Sequence, residues 1–179
     1  RTLKISKNKF KETKKIKYHP IYDNPPDGDI SVDAVTGTAM LIDRDKLKLI
    51  NDWDTNIFNY FEDMDLCLRF RIKGFEIIKI RNAEVDHDAF SSHDEKFSKQ
   101  MDFSRNWHYS WSRFYFLKKH TTILNAYKFG ISLFLKSIIK SLFYIFFKKS
   151  KSITHFAKAY GIFFAILNLK SKYRPQVKI

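Results

Sequence analysis

The sequence predicts an α/β domain followed by amphipathic helices. Two β-rich stretches, near 32–42 and 77–80, stand on either side of segments whose apolar residues recur at helical spacing. A loop and a long helix rich in aromatic residues are predicted over 91–120, and from residue 121 to residue 170 the pattern is almost wholly helical. We therefore expect strands and helices to alternate in the earlier part of the chain, and helices alone to follow.

The composition narrows the class of protein. Of 179 residues, 44% are hydrophobic and 17% are aromatic, enough for a buried core and too many for an intrinsically disordered chain. Cys67 is the single cysteine, which excludes an internal disulfide and a paired-cysteine zinc site and favours a reducing compartment. Because the first residue is Arg1 rather than methionine, we expect a fragment of a larger protein.

Charge is distributed unevenly along the chain. The formal net charge is +14, yet most of the acidic residues lie between residues 21 and 100, and none follows Asp102. This segregation predicts a middle region built around carboxylate chemistry and a later region that meets an anionic partner. A general lysine bias is the alternative, although it would not explain the missing acids.

The first predicted elements follow a Lys-rich connector, residues 1–20. A strand is expected over 32–42, with Gly37 in its middle, where the missing side chain lets a ligand or another backbone approach. A β-bulge is the alternative at this glycine. A short helix should follow, with Asp43 or Asp45 as its N-cap.

Three acidic residues gather where the next helix is predicted to begin. Glu62, Asp63 and Asp65 fall in its first turn, and Gly74 lies near its C-cap. Carboxylates at a helix N-terminus face the positive end of the helix dipole, so ordinary capping can account for Glu62 and Asp65. Asp65 can also pair with Arg69, four residues further on.

The last part of the chain predicts a basic amphipathic helix. Four residues spaced by four share one of its faces: Lys128, Ser132, Lys136 and Lys140. The lysines make it a poor transmembrane span but suit it to the headgroup layer, where it could form a hairpin with the apolar segment 159–169. A soluble helical pair packed on the main domain is the alternative.

Four stretches of the sequence together resemble a known family. They are "VDAVTGTAMLIDRDKL", "WDTNIFNYFEDMDLCLRFRIKGFEI", "AEVDHDAFSS" and "SRNWHYSWSRFYFLKKH". This order is similar to the acceptor-side half of bacterial family 2 glycosyltransferases, and the rhamnosyltransferase-like members are the most similar. The resemblance covers about residues 30–120.

The resemblance implies a fold and a domain division. Residues 1–120 would be the C-terminal part of a GT-A domain, a Rossmann-like nucleotide-diphospho-sugar transferase fold whose N-terminal nucleotide-binding half is missing. Residues 121–179 would be a helical, basic, membrane-associated region. The fragment alone would then be inactive.

The resemblance also implies the roles of individual residues. In the family, the aspartate of the Glu-Asp pair is the catalytic base, which places that role on Asp63, with Glu62 shaping the acceptor site. An inverting transfer needs one such carboxylate to take the proton of the acceptor hydroxyl. The residues expected to bind substrate are Gly37, Thr38, Trp53, Asp54 and Arg69, although a plain core position is the favoured alternative for Trp53.

A divalent metal ion, Mg²⁺ or Mn²⁺, is implied as the cofactor. Some relatives use a histidine after the next strand as a ligand, and His87 occupies that place; a structural role is equally open, and His93 is its rival. The missing half would hold the metal mainly through an Asp-x-Asp motif. None of the Asp-x-Asp spacings in this chain follows the expected strand, so none is assigned to it.

These features predict a glycosyltransferase fragment that transfers a sugar from a nucleotide-sugar donor to a glycan or lipid-linked acceptor in cell-envelope polysaccharide biosynthesis. It would lie peripherally on the cytoplasmic face of the bacterial inner membrane, against an anionic membrane surface. No nucleic acid is expected as a partner, although the basic C-terminal region also fits a nucleic-acid-binding module. A non-catalytic membrane-binding scaffold is the third interpretation.

Overall fold

The computed structural model describes residues 28–86 and 95–175. The chain divides into two compact units. Within the described residues, the first unit comprises 28–54 and 62–86, and the second comprises 55–61 and 95–175. The domain boundary expected at residue 120 stays a prediction.

The first unit contains two short strands and two helices. Strand β1 (Ile30–Val32) pairs antiparallel with β2 (Ile77–Lys79), with Ile30 opposite Lys79. Helices α1 (Arg44–Leu49) and α2 (Glu62–Ile72) lie between them in sequence.

The caps of these helices follow the sequence prediction. Asp43 is the N-cap of α1, and its side chain accepts hydrogen bonds from the backbone N–H groups of Asp45 and Lys46. Gly74 follows α2 with a φ of 85°, a left-handed conformation that costs glycine little. The first turn of α2 contains Glu62, Asp63 and Asp65, so the predicted position of these three acidic residues is confirmed.

The predicted strand over 32–42 is wrong beyond residue 32. Gly37 lies in a turn, because backbone groups of this segment bond to side chains of α2 instead of to a partner strand. The prediction of a second strand centred on 77–80 is confirmed by β2.

The predicted α/β class, a partial Rossmann-like GT-A domain, is wrong for the described residues. Their only sheet has two antiparallel strands of three residues each, and helices account for most of the remainder. A Rossmann-like domain needs several parallel strands joined by crossover helices. Helices make up most of the described chain after residue 98. The strands that form near the two β-rich stretches, Ile30–Val32 and Ile77–Lys79, pair only with each other.

The second unit is built from three long helices. A 3₁₀ turn (Glu95–Phe97) leads into α3 (Ser98–His120), which is followed by α4 (Ile123–Ile145) and α5 (Lys149–Ile166). Within the described parts of the chain, none of the helices is both long enough and apolar enough to cross a membrane.

Small residues let these helices approach closely. A Cβ added to Gly161 of α5 would lie 2.2 Å from the backbone oxygen of Trp107 in α3, so only glycine fits there. Ser141 of α4 and Ser152 of α5 are both buried, and each hydroxyl donates to the other residue's carbonyl. The helix interfaces therefore depend on small side chains, with the hydroxyls satisfied internally.

The segment after α5 is fastened to α3. The buried ring of His108 bonds through Nδ1 to the Ser171 hydroxyl, at 3.0 Å, and through Nε2 to the Tyr173 carbonyl, at 2.9 Å. Trp111 donates its indole N–H to the Leu169 carbonyl. These bonds satisfy polar groups that the packing of the helix would otherwise bury unpaired.

Candidate functional site

The candidate site lies in the first unit, at the N-terminal end of α2. Asp63, in the first turn of this helix, accepts a hydrogen bond at Oδ2 from the backbone N–H of Gly37, with a distance of 2.9 Å. Its Oδ1 accepts from the N–H of Met64 at 2.7 Å. The carboxylate is thereby fixed in orientation, while the residue itself stays half-buried.

Gly37 leaves ordinary space beside this carboxylate. A Cβ at position 37 would lie 3.6 Å from Cβ of Asp63 and 3.8 Å from its Oδ2, which is normal van der Waals contact. The contact therefore uses the backbone N–H of the loop and does not require the absence of a side chain.

Cys67 supports the same loop from one helical turn further on. Its thiol lies 3.9 Å from the Val35 carbonyl, and burial raises the pKa of this thiol above its ordinary value. A neutral, buried thiol is a poor nucleophile, so Cys67 serves to position the loop. The spacing of four between Asp63 and Cys67 is the sequence signal that could have predicted their shared face.

Asp65 points away from solvent and is paired. The side chain of Asp65 is fully buried, and its Oδ2 accepts from Nε of Arg69 at 2.8 Å. The predicted ion pair between these residues is present. Arg69 also donates from Nη1 to the carbonyls of Ile50 and Asp52, at 2.5 Å and 2.6 Å.

These contacts let Arg69 hold a strained turn. Asn51 and Asp52 have φ angles of 62° and 54°, in the left-handed region that non-glycine residues rarely adopt. Arg69 binds the carbonyls within this turn, immediately before Trp53 and Asp54. The contacts of Arg69 are structural, and its substrate-binding role stays a prediction.

Glu62 differs from its neighbours in its environment. Its pKa is raised, chiefly because burial penalises the charged form and also because of the nearby negative charge of Asp63. Within the described residues, its buried Oε2 has no hydrogen-bond partner. Two adjacent carboxyl groups therefore have distinct surroundings, one fixed by backbone N–H groups and one partly desolvated.

The remaining predicted residues are less closely grouped. Thr38 is exposed and lies beside Thr36, with the two hydroxyl oxygens 3.4 Å apart. Trp53 is 39% exposed, so the alternative that placed it in the core is wrong. Asp54 is half-buried in the same unit. Of the predicted site residues, the structure joins Gly37 and Asp63 through a hydrogen bond.

The predicted metal ligand cannot be placed. His87 and its rival His93 lie outside the described residues. In residues 28–86 and 95–175, no group of three or more histidine, cysteine or acidic residues is arranged to hold a metal ion. The described donor set does not fit a complete metal site, and no step proposed below runs through a metal.

Comparison of the chain with protein-family models, with curated proteins and with solved structures finds no match.

Proposed function

We propose that this chain is part of an inverting glycosyltransferase and that Asp63 is its catalytic base. The observation that supports this best is the hydrogen bond between Oδ2 of Asp63 and the backbone N–H of Gly37. Two predicted site residues, 26 positions apart in the sequence, meet at one half-buried carboxylate. The proposal concerns the reaction and the motif, and it does not need the GT-A fold.

The proposed reaction uses one proton transfer. Asp63 takes the proton of an acceptor hydroxyl as the hydroxyl oxygen forms a bond to the anomeric carbon of the donor sugar. The bond between that carbon and the nucleotide diphosphate breaks on the opposite face, and the diphosphate leaves with the electron pair. A carboxylate fixed by two backbone N–H groups is oriented before the acceptor arrives.

Glu62 has a supporting role in this proposal. Its carboxyl is partly desolvated and lies beside Asp63 in the first turn of α2, so Glu62 is proposed to shape the acceptor site. The donor is proposed to be held mainly by residues outside 28–86 and 95–175, as the motif resemblance implies; within those ranges no cluster of side chains is arranged to hold a metal ion.

The proposed location is peripheral, on the cytoplasmic face of a bacterial inner membrane, where a nucleotide-sugar and a glycan or lipid-linked acceptor can meet. The basic sequence after Asp102 supports an anionic surface as a partner. A second candidate function is a non-catalytic membrane-binding module, which the exposed apolar side chains of α4 favour. The two candidates differ in whether sugar transfer occurs.

The test is nucleotide diphosphate release by the full-length protein from a panel of nucleotide-sugars, with membrane extract as the acceptor source. Asp63→Asn should lower kcat by about 10²–10⁴, the usual size of a general-base effect, with little change in donor affinity. Asp45→Asn, at an exposed acid of α1, is the matched control and should leave kcat unchanged. Full activity in Asp63→Asn would reject Asp63 as the base, and no release from any donor would favour the non-catalytic module.

A further inference from the structure

Helix α4 presents its large apolar side chains outward. Its buried positions are occupied by small residues: Ala126, Gly130, Ser137 and Ser141. The opposite face, here called the outer face, carries five branched aliphatic residues that are each at least half exposed: Leu124, Ile131, Leu135, Ile139 and Leu142. Soluble surfaces rarely keep such a continuous apolar strip without a partner.

The turn that joins α4 to α5 extends this apolar character. In the tip, residues 146–149, Phe146 is 85% exposed and Phe147 is 73% exposed. Lys148 and Lys149 follow them directly and are also exposed. Two protruding aromatic rings beside two cations match the chemistry of a bilayer interface, with an apolar interior below an anionic layer.

The charges on α4 select among possible partners. Lys128, Lys136 and Lys140 are exposed along the helix, and no acidic residue follows Asp102 in the sequence. A second copy of the chain would bring lysines against lysines, which costs free energy. A nucleic acid would satisfy the lysines but leave the aliphatic strip against phosphates, whereas an anionic bilayer satisfies both.

We propose that the outer face of α4 and the tip dock on an anionic phospholipid bilayer, with α4 lying in the plane of the interface. A helix of 23 residues is about 35 Å long, so this orientation spreads the strip over many lipids. Long lysine side chains can rest on the apolar strip and reach headgroups with their ammonium groups. This inference deepens the peripheral location proposed above and does not depend on sugar transfer.

The experiment is co-sedimentation of the purified chain with vesicles of phosphatidylcholine alone or mixed with phosphatidylglycerol. The native chain should bind the anionic vesicles far more strongly, and added salt should weaken the binding. Lys136→Gln with Lys140→Gln should weaken it by about fivefold per lysine. Phe146→Ser with Phe147→Ser should weaken it by roughly tenfold or more, since the rings no longer enter the hydrocarbon.

The matched control is Lys73→Gln with Lys79→Gln, which changes the net charge equally at exposed positions of the first unit. This variant should bind the vesicles like the native chain. Equal losses in both lysine pairs would mean that net charge alone drives binding and would overturn the assigned surface. Absence of vesicle binding, with a dimer in sedimentation analysis that the tip variant dissociates, would assign the strip to a second copy.

The outcome also separates this inference from the transferase proposal. Nucleotide diphosphate release without vesicle binding would reject the docking surface and leave Asp63 as the base. Vesicle binding that needs the tip, with no release from any donor, would keep the surface and reject the transferase.

Discussion

The two units of this protein are stabilised in different ways. The first has two three-residue strands and two short helices, and its loops are held by polar contacts from α2: Asp63 to Gly37, Cys67 to Val35, and Arg69 to Ile50 and Asp52. The second has three helices of 18 to 23 residues, joined by the packing of small and aromatic side chains.

The difference between the units predicts which kind of substitution destabilises each of them. In the first unit, one helix supplies the groups that fix two loops, so the site depends on α2 and on the charges it carries. In the second unit, stability depends on how closely the helix backbones approach each other. The large aliphatic and basic side chains of α4 are exposed. We therefore expect the first unit to be sensitive to removal of polar partners and the second to added volume.

Arg69→Met should have the largest effect on stability. It leaves the fully buried Asp65 carboxylate without its cation and frees the carbonyls of the left-handed turn. Removing one partner of a buried ion pair typically costs about 3–5 kcal/mol, which urea denaturation can measure. Arg71→Met on the same helix is the control, because Arg71 makes no ion pair with described residues. Equal losses in both variants would contradict a special role for Arg69.

Gly161→Ala should destabilise the second unit through overpacking. The new Cβ would meet the backbone of Trp107, which cannot turn aside like a side chain, and overpacking costs about 1–3 kcal/mol or more. Gly37→Ala is the matched control in the first unit, where the added Cβ makes only ordinary contact. Thermal denaturation of both variants checks the contrast; similar Tm values would show that the helices separate easily.

His108→Gln should reduce the dependence of stability on pH. The pKa of His108 is lowered from 6.5 to about 4, chiefly by burial and also by the charge of Arg174, against the hydrogen bond to Tyr173, which raises it. Between these values the unfolded chain binds a proton that the folded chain does not, so stability falls as pH falls, by roughly 1–2 kcal/mol.

The control for His108→Gln is Ser171→Ala, which removes the hydrogen bond between the Ser171 hydroxyl and Nδ1 of His108 but leaves the titratable imidazole in place. Its effect on Tm should be nearly the same at every pH between 4 and 6.5. A Tm profile of His108→Gln as steep as that of the native chain would assign the pH dependence elsewhere.

Glu62→Gln should have the smallest effect on stability, and it should stabilise the protein at neutral pH, unlike Arg69→Met and Gly161→Ala. Because the folded pKa of Glu62 is raised, its ionised form is destabilising above the ordinary value of 4.5. The variant should therefore raise Tm at neutral pH by about 1–2 °C and lose this gain as pH falls below 4.5. A lower Tm at neutral pH would mean that the carboxylate has a stabilising partner.

The sequence predicted the local structure where the signal was local. Four predicted features depend on residues within a few positions of one another: the helix periodicity, the Asp43 cap, Gly74 after α2, and the ion pair of Asp65 with Arg69. The proximity of Gly37 to the acidic trio was expected only through the resemblance. The hydrogen bond itself joins residues 26 positions apart, which no periodicity specifies.

The fold class failed for a tertiary reason. Two β-rich stretches do not determine how many strands will pair, and the described chain offers each of them one partner. In α4, small residues form the buried face, among them Gly130 and Ser137, while large aliphatic residues are exposed. The lysine spacing predicted only the basic face of this helix, and the small residues spaced by four, Ala126 with Gly130 and Ser137 with Ser141, were the signal for its buried face.

The most direct test of the central claim compares turnover with stability in Asp63→Asn and Asp65→Asn, each made in the full-length protein. If the carboxylate bound by the Gly37 N–H is the base, Asp63→Asn should lose kcat by about 10²–10⁴ while its Tm stays near the native value. Asp65→Asn should lower Tm, because its partner Arg69 is left uncompensated, and should lower kcat only as far as unfolding requires. A large drop in Tm for Asp63→Asn with native kcat in the folded fraction would contradict the account, since Asp63 would then hold the loop and take no proton.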